Sequence, residues 1–313
     1  MKKRAPVLLS FYGLSNGVTN VLFGQLTYGY KSDLSFQKYT WIKTFRTLLA
    51  LYRTKAIANK EIELTFNNRQ VKTTTDASGS FYIKVSFDVE QTLLTNIKMC
   101  SGEVITILNN LYTPQIDYVE NYTIVISDID DTILQSHISN KLLKFFTVMF
   151  TSVEKRKAIV NMMQLIKDFA QSGAASFYLS NSEQNLYPLI YRFFANNQFP
   201  EGPIFLKQMR GWRDVFINKK YPEKDAHKQR QLKQIIELFP DKHYILIGDN
   251  TQNDLKIYLQ VAREFPTLIR HIIIRKVIDK KRDKALIKEH IPFLESHAIG
   301  MHYSDTFPTK FEL

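Results

Sequence analysis

A single cysteine, Cys100, leaves this chain unable to form an internal disulfide or a zinc-cysteine cluster, so nothing in it asks for an oxidising compartment. Its seven histidines fall at no spacing that resembles a metal site, and His137, His227 and His243 read as ordinary polar residues. No apolar run approaches the roughly 18 residues that a membrane-spanning helix needs. Internal repeats and low-complexity segments are also lacking. The opening Met1-Lys2-Lys3-Arg4-Ala5-Pro6-Val7-Leu8-Leu9-Ser10 has the basic head of a signal peptide. Its apolar stretch is short, however, and Tyr12 and Gly13 interrupt it, so it reads as a first strand. These absences point to the cytoplasm, either free or peripheral at a membrane.

What is present is enough apolar material, 44% of 313 residues, for one large domain or two ordinary ones. The charge balance is one-sided: 42 Lys and Arg against 30 Asp and Glu give a net +12. Such a field attracts polyanions, whether nucleic acid, anionic lipid or phosphorylated substrates, and does not choose among them.

Two grammars divide the chain. In the first third, Ile62, Leu64 and Phe66 alternate with Glu61, Glu63 and Thr65, and Phe81, Ile83, Val85 and Phe87 alternate with Tyr82, Lys84 and Ser86. Period two means half-buried strands, and Asn67-Asn68 and Asp76-Ala77-Ser78-Gly79 supply turn chemistry between them. Residues 1–120 are therefore expected to form a small antiparallel β-sandwich, with an amphipathic helix carrying Ile42, Phe45, Leu48, Leu49 and Tyr52 packed on it. From 121 to 313, short apolar strands alternate with helical patterns, the mark of an α/β parallel sheet with flanking helices. The expected strands are Tyr122–Ser127, Ala175–Leu179, Pro203–Lys207, His243–Ile247 and Ile272–Arg275. Helices are expected over Val153–Gln171, near Tyr187–Asn197, and over Gln229–Phe239.

In an open parallel sheet, ligands bind beyond the carboxyl ends of the strands. The first of these strands runs into Asp128-Ile129-Asp130-Asp131-Thr132, the second into Ser180-Asn181-Ser182 and the fourth into Gly248-Asp249-Asn250-Thr251-Gln252-Asn253-Asp254. Carboxylates at the tips of apolar strands are costly unless a cation neutralises them, and Mg²⁺, with its taste for one or two carboxylates plus a phosphate oxygen, suits Asp128 and Asp249 converging from different strands, with Asp130 counted beside them as a metal residue. The spacing of Asp128 and Asp130 fits a division of labour, with Asp128 attacking phosphorus while Asp130 protonates the leaving oxygen and then deprotonates water. Phosphoryl transfer also needs a hydroxyl and a cation at the equatorial oxygens; Ser180 and Lys228 are the candidates, Lys228 standing four residues before Leu232 at a helix start.

Asp128-x-Asp130-x-Thr132, the strand-terminal Ser180, Lys228, and Gly248-Asp249 with Asp254 five further resemble, in order, the four motifs of the haloacid dehalogenase (HAD) superfamily. That resemblance implies a Rossmann-like sheet and assigns the matching positions as nucleophile and acid/base, phosphate hydroxyl, phosphate lysine and metal carboxylates. A narrower resemblance covers most of the chain through Val125-Ile-Ser-Asp-Ile-Asp-Asp-Thr-Ile133, Phe177-Tyr-Leu-Ser-Asn-Ser182 with Leu186-Tyr187-Pro188, His227-Lys228 and Ile245-Leu-Ile-Gly-Asp249. It is to the phosphatidate phosphatase family of the fungal actin-patch protein and its bacterial relatives. The Thr73–Phe81 passage is similar to the small β-domain of those relatives. The resemblance implies Mg²⁺-dependent removal of phosphate from phosphatidate or a related lipid phosphate. Glu183 replaces the family's Pro after Ser-x-Ser, a departure that touches substrate shape.

Plainer roles compete at several positions. Asp131 and Thr132 serve as turn and cap residues; Asn181 and Ser182 are either helix caps or phosphate ligands. Lys207, Lys219, Lys220 and Lys224 rival Lys228. Asp254 caps a helix, orients Lys228 or reaches the metal through water. Only roughly twenty residues separate Thr132 from the helix near Val153, too few for a globular lid, which favours large or surface-embedded substrates. A nucleic-acid end phosphatase or protein phosphatase is the alternative enzyme, the former suggested by +12 and by Arg210, Trp212 and Arg213. A non-catalytic membrane or protein adaptor is the alternative of another class. The apolar, lysine-flanked stretch from Lys141 to Arg156 is either core or a membrane-facing surface.

Overall fold

The computed structural model describes residues 5–29, 51, 53–67, 69–86, 92–109, 111–129, 153–207, 224–251 and 253–306, with the side chains of 153–160 and 224–226 outside that description. Asp130, Thr132, residues 42–50, most of the 141–156 stretch, and Arg210, Trp212 and Arg213 lie outside the described residues. The chain divides into two compact units. One comprises Met1–Glu120 with Glu183–Asn197 and Lys207–Lys219, the other Asn121–Ser182 with Gln198–Leu206 and Lys220–Leu313.

The first unit is built on two sheets. β1 (Ala5–Ser15) and β2 (Asn20–Gly29) form a long antiparallel pair, joined by β3 (Lys55–Ala56) and β6 (Ser80–Val85) on the β2 side. The second sheet is β5-β4-β7, from β4 (Glu61–Phe66), β5 (Arg69–Thr74) and β7 (Leu94–Met99). The expected alternation holds: Ile62, Leu64 and Phe66 are buried, and Phe66 meets Phe11 of β1 with ring centroids 6.4 Å apart, so the sheets share a core. Asn67 takes positive φ at the β4–β5 turn, and Asp76 accepts bonds from the Ser78 and Ser80 amides as a turn aspartate does.

One expectation fails here: the unit is not wholly antiparallel. β8 (Thr106–Ile107) and β9 (Ile116–Tyr118) pair with β1 in parallel. They are reached from β7, in the other sheet, so no tight hairpin dictates their direction.

The second unit holds one six-stranded sheet. Its strands are β10 (Thr123–Asp128), β11 (Ala175–Glu183), β12 (Ile204–Lys207), β13 (His243–Asp249), β14 (Ile269–Arg275) and β15 (Gly300–Ser304), in the order β12-β11-β10-β13-β14-β15. β10 pairs in parallel with β11 and β13, β13 with β14, and β14 with β15. The chain builds outward from β10 on one side, then returns to its other flank. Crevices for ligands open where the strand order reverses in this way, here between β10 and β13. The near-continuous apolar runs of Ile124–Ile126, Tyr244–Ile247 and Ile272–Ile274, all buried, are what central parallel strands require.

The helices are α1 (Val153–Gln171), α2 (Tyr187–Asn196), α3 (Lys224–Leu238), α4 (Asp254–Glu264) and α5 (Lys281–Ser296). α2, with Pro188 in its first turn, belongs to the first unit although it directly follows the second strand of the parallel sheet. Its Tyr187 hydroxyl lies 2.7 Å from that of Tyr12 in β1 and donates to the Leu111 carbonyl at 3.4 Å. Tyr187, Leu189, Ile190, Phe193 and Phe194 are all buried.

A cut at 120/121 strips α2 of β1 and Leu111. Burying a large apolar side chain is worth about 1.5–3 kcal/mol, so five such residues cannot be re-exposed cheaply. Residues 121–313 expressed alone are expected to bind an apolar-surface dye and to aggregate where the full chain does neither. A monomeric, dye-silent fragment would show that α2 does not need the first unit.

Candidate active site

The site grows from the carboxyl ends of three neighbouring strands. Asp128 ends β10, in register with Leu179 of β11, and the Ile129 amide donates to the Leu179 carbonyl at 2.9 Å. The residue after Leu179 is Ser180, buried, with its hydroxyl accepting the Ser182 amide at 3.0 Å. On the other flank Ser127 pairs with Ile247, which places Gly248 and Asp249 beside the end of β10. Register alone therefore brings Asp128, Ser180 and Asp249 to one edge.

Lys228 arrives from α3. It lies four residues before the buried Leu232, and its ammonium, 3% exposed, sits 2.9 Å from Asp128 Oδ1 and in close contact with Asp254 Oδ1. The Tyr258 ring, one helical turn after Asp254 in α4, lies under the ammonium at 5.7 Å from Nζ, and its hydroxyl donates to the Ile247 carbonyl at 3.0 Å. Burial by itself lowers the Lys228 pKa, but the carboxylates of Asp128 and Asp254 outweigh it and hold the ammonium well above the ordinary lysine value.

Asp254 opens α4, where the positive end of the helix favours a carboxylate. Its Oδ1 takes the Lys228 ammonium and its Oδ2 accepts the Asp249 amide at 3.4 Å, so it joins the lysine to the tip of β13. Burial and the Asp128 charge push its pKa up against the pull of Lys228. Asp249 is turned by Thr251, whose amide and hydroxyl donate to Oδ1 at 2.8 and 2.7 Å. Burial raises its pKa, Thr251 lowers it, the Asp128 charge raises it again, and Arg275 at 3.7 Å from Oδ2 partly offsets this, leaving it above the usual carboxylate range.

Two oxygens remain over. Asp128 Oδ2 and Asp249 Oδ2 are buried without a hydrogen-bond partner among the described residues. Buried carboxylate oxygens without a hydrogen bond at the tips of adjacent strands are a donor set that a hard divalent cation takes, with the Arg275 guanidinium 3.7 Å from Asp249 Oδ2 as the cation already facing one of them. Among the described residues no group of three or more His, Cys, Asp or Glu is placed to hold a metal ion.

Asp128, Lys228, Asp249 and Asp254 are thus brought together, Ser180 stands at the same edge, and Asn181 is half-buried beyond it. Asp130 and Thr132 lie outside the described residues. Tyr258, Thr251 and Arg275 were not anticipated as members of the site. Tyr258 was visible as the residue one turn after Asp254; Arg275 shows only through the pairing of β13 with β14.

Known proteins resemble this part of the chain. Residues 123–276 match the family model "Phosphatidate phosphatase APP1, catalytic domain". Over 209 residues the chain is 32% identical to "Phosphatidate phosphatase APP1" of Saccharomyces cerevisiae, covering 64% of this chain and 34% of that protein. Over 155 residues it is 29% identical to an uncharacterized protein of Schizosaccharomyces pombe, covering 49% and 25%. The chain thus spans about a third or less of the length of these curated relatives. Likeness to a solved carbohydrate acetylesterase of Xanthomonas citri, at TM-score 0.33 and 11% identity over 97% of this chain and 68% of that one, is too slight to carry an argument.

Gly248 is the packing constraint of the site. A Cβ there would meet Asp254 Oδ2 at 2.5 Å and Tyr258 Cε2 at 3.0 Å. Gly248→Ala is expected to displace Asp254 from Lys228 and to cost about 1–3 kcal/mol of stability. Chemical denaturation reads this directly, and a midpoint equal to wild type would show that α4 yields without strain.

Proposed function

We propose that this chain, whose residues 123–276 match the model of the phosphatidate phosphatase APP1 catalytic domain, belongs to that family and hydrolyses a phosphomonoester, with phosphatidate or a related lipid phosphate as substrate. The observation that carries the reading is the Asp128–Lys228–Asp254 cluster at the carboxyl end of a parallel sheet, with Asp249 on the adjacent strand. Its order along the chain and its strand-end placement support a HAD-like assignment.

In this reading Asp128 is the nucleophile. Its carboxylate forms a bond to phosphorus as the bond to the leaving alkoxide breaks, giving an aspartyl phosphate that water then hydrolyses. Asp130, two residues on, is assigned the proton transfers: to the leaving oxygen, then from the attacking water. The Lys228 ammonium and the Ser180 hydroxyl answer the charge on the equatorial phosphoryl oxygens, with Asn181 beside them. Asp254 holds Lys228 in place and charged. Asp128 and Asp249, with Asp130, are the residues that would hold Mg²⁺, which when bound screens the phosphate's charge from the nucleophile.

The lipid substrate draws support from the surface that leads away from the site. After β14, which ends in register with Asp249, Ile278, 45% exposed, is followed in the sequence by the exposed Lys281, Arg282, Lys284 and Lys288. Asp279 is the exposed acid among them. A basic rim with an apolar tip suits peripheral docking on an anionic bilayer. Among the described residues no helix is long and apolar enough to cross a membrane.

Asp128→Asn is expected to lower phosphate release by on the order of a thousandfold or more while the melting temperature stays level or rises, since one of three crowded carboxylates is neutralised. Chelator should silence the wild type, Mg²⁺ should restore it, and Ca²⁺, with its longer bonds and larger shell, should not. Undiminished turnover in the variant, or full activity in excess chelator, removes the mechanism. The substrate is tested separately: Lys281→Glu with Lys288→Glu should slow hydrolysis of phosphatidate in anionic vesicles severalfold and leave a soluble aryl phosphate untouched. Equal rates on vesicles would take the docking surface out of the account.

A further inference from the structure

Asn250, the residue after Asp249, is 1% exposed and takes no part in the chemistry above. Its amide is nevertheless heavily engaged. Oδ1 accepts the Val277 and Ile278 amides at 2.8 and 3.1 Å. Nδ2 donates to the Ile278 carbonyl at 2.5 Å, the Tyr303 hydroxyl at 2.8 Å and Asp283 Oδ2 at 3.1 Å. Tyr303 in turn donates to the same Asp283 oxygen at 3.2 Å. With two backbone donors on one side and a carbonyl and a carboxylate on the other, the amide satisfies all of them in only one of its two flips.

The backbone of Asn250 is held as well. Its amide donates to the Arg275 carbonyl at 3.1 Å, and its carbonyl accepts the Lys280 ammonium. Lys280 also reaches the Thr251 carbonyl at 3.5 Å. One residue is thus tied to three separate pieces of chain: the loop after β14, the first turn of α5 through Asp283, and β15 through Tyr303. Asp283 is itself buried, 4% exposed, and the described partners of its Oδ2 are Asn250 and Tyr303. A buried carboxylate is costly to keep, and these bonds satisfy it in return for a fixed position of the residue beside Asp249.

We infer that Asn250, Asp283 and Tyr303 form a positioning cluster that sets the Asp249 carboxylate for a divalent cation. The inference rests on the reading of Asp249 as a cation ligand. Thr251 fixes the rotation of that carboxylate by holding Oδ1; the Asn250 cluster fixes where its main chain stands relative to Asp128. The two constraints together leave Oδ2, which accepts no hydrogen bond and has Arg275 Nη2 at 3.7 Å, as the oxygen presented to a cation. Groups that orient a ligand from behind typically change metal affinity or activity by about 10–100-fold when removed.

The test uses the full chain and Mg²⁺ alone as probe. Cation affinity is read by calorimetric titration and by the Mg²⁺-induced rise in melting temperature, and compared with the melting temperature without cation. Asn250→Ser is expected to weaken Mg²⁺ by about 10–100-fold, and Tyr303→Phe, which keeps the ring and drops one bond, by a smaller factor in the same direction. A purely structural role would lower the cation-free melting temperature and leave the affinity of the folded fraction unchanged. That pattern in Tyr303→Phe, the milder variant, overturns the inference even if Asn250→Ser folds poorly. A wild type that binds Mg²⁺ without hydrolysing any phosphomonoester would overturn the proposed activity and leave this assignment standing; a wild type that binds no Mg²⁺ overturns both.

Discussion

An ammonium wedged between two carboxylates, Lys228 between Asp128 and Asp254, is the contact on which the carboxyl end of the parallel sheet depends. All three groups are essentially without solvent. Burying a charge costs several kcal/mol after relaxation, and removing one partner from a buried pair typically costs about 3–5 kcal/mol because the other is stranded. Lys228 is therefore the member that cannot be spared: its loss would strand both carboxylates, whereas neutralising Asp128 leaves the ammonium paired with Asp254. Gly248 is left without a side chain so that Asp254 can approach, Tyr258 presents its ring to the ammonium, and α4 begins at Asp254 so that its positive end faces the acid. Each feature would be idle without the lysine.

Topology explains why these residues meet. The chain leaves β10 for β11 and β12, then re-enters on the opposite flank at β13, so the two central strands diverge in connection while remaining paired. Residues 121 positions apart, Asp128 and Asp249, end up on neighbouring tips without any local turn to join them. Lys228 is drawn in by the helix that leads back to β13. The second unit of the chain supplies every described member of this cluster.

Much of this was legible in the residues. The apolar runs ending in Asp128, Ser180 and Asp249 marked strand tips, and the step of four from Lys228 to Leu232 marked the lysine as inward-facing among several basic rivals. What could not be read has physical causes. β15, Gly-Met-His-Tyr-Ser, is a half-buried edge strand with no apolar run, and α5 carries Pro292 within a largely polar sequence. β11 continues through Ser180-Asn-Ser-Glu183, beyond the apolar stretch by which it could be read. The parallel β8 and β9 are two and three residues long, too short for any periodicity. The Asn250 cluster is out of reach for another reason: its partners Asp283 and Tyr303 stand 33 and 53 residues downstream, on elements that were themselves not visible.

The charge of the whole chain and the charge of its site run in opposite directions, and the difference separates two kinds of electrostatic work. Overall the chain is +12. At the cluster, three carboxylates face Lys228 and Arg275, so the described groups are acid-rich by one and two carboxylate oxygens accept no hydrogen bond. Screening at physiological salt confines a surface charge to about 8–10 Å, so the outer lysines cannot balance the buried acids. They act at the outer surface, on an anionic substrate or membrane that comes within that distance. The inner excess acts on whatever enters the crevice, and an anionic phosphoryl group meeting Asp128 there would be repelled unless a cation came with it. A basic exterior that gathers anions and an acidic centre that admits them beside a cation fit the proposed metal-assisted phosphatase better than a module that merely binds its anion, for which two buried carboxylate oxygens without a hydrogen bond would be a cost without return.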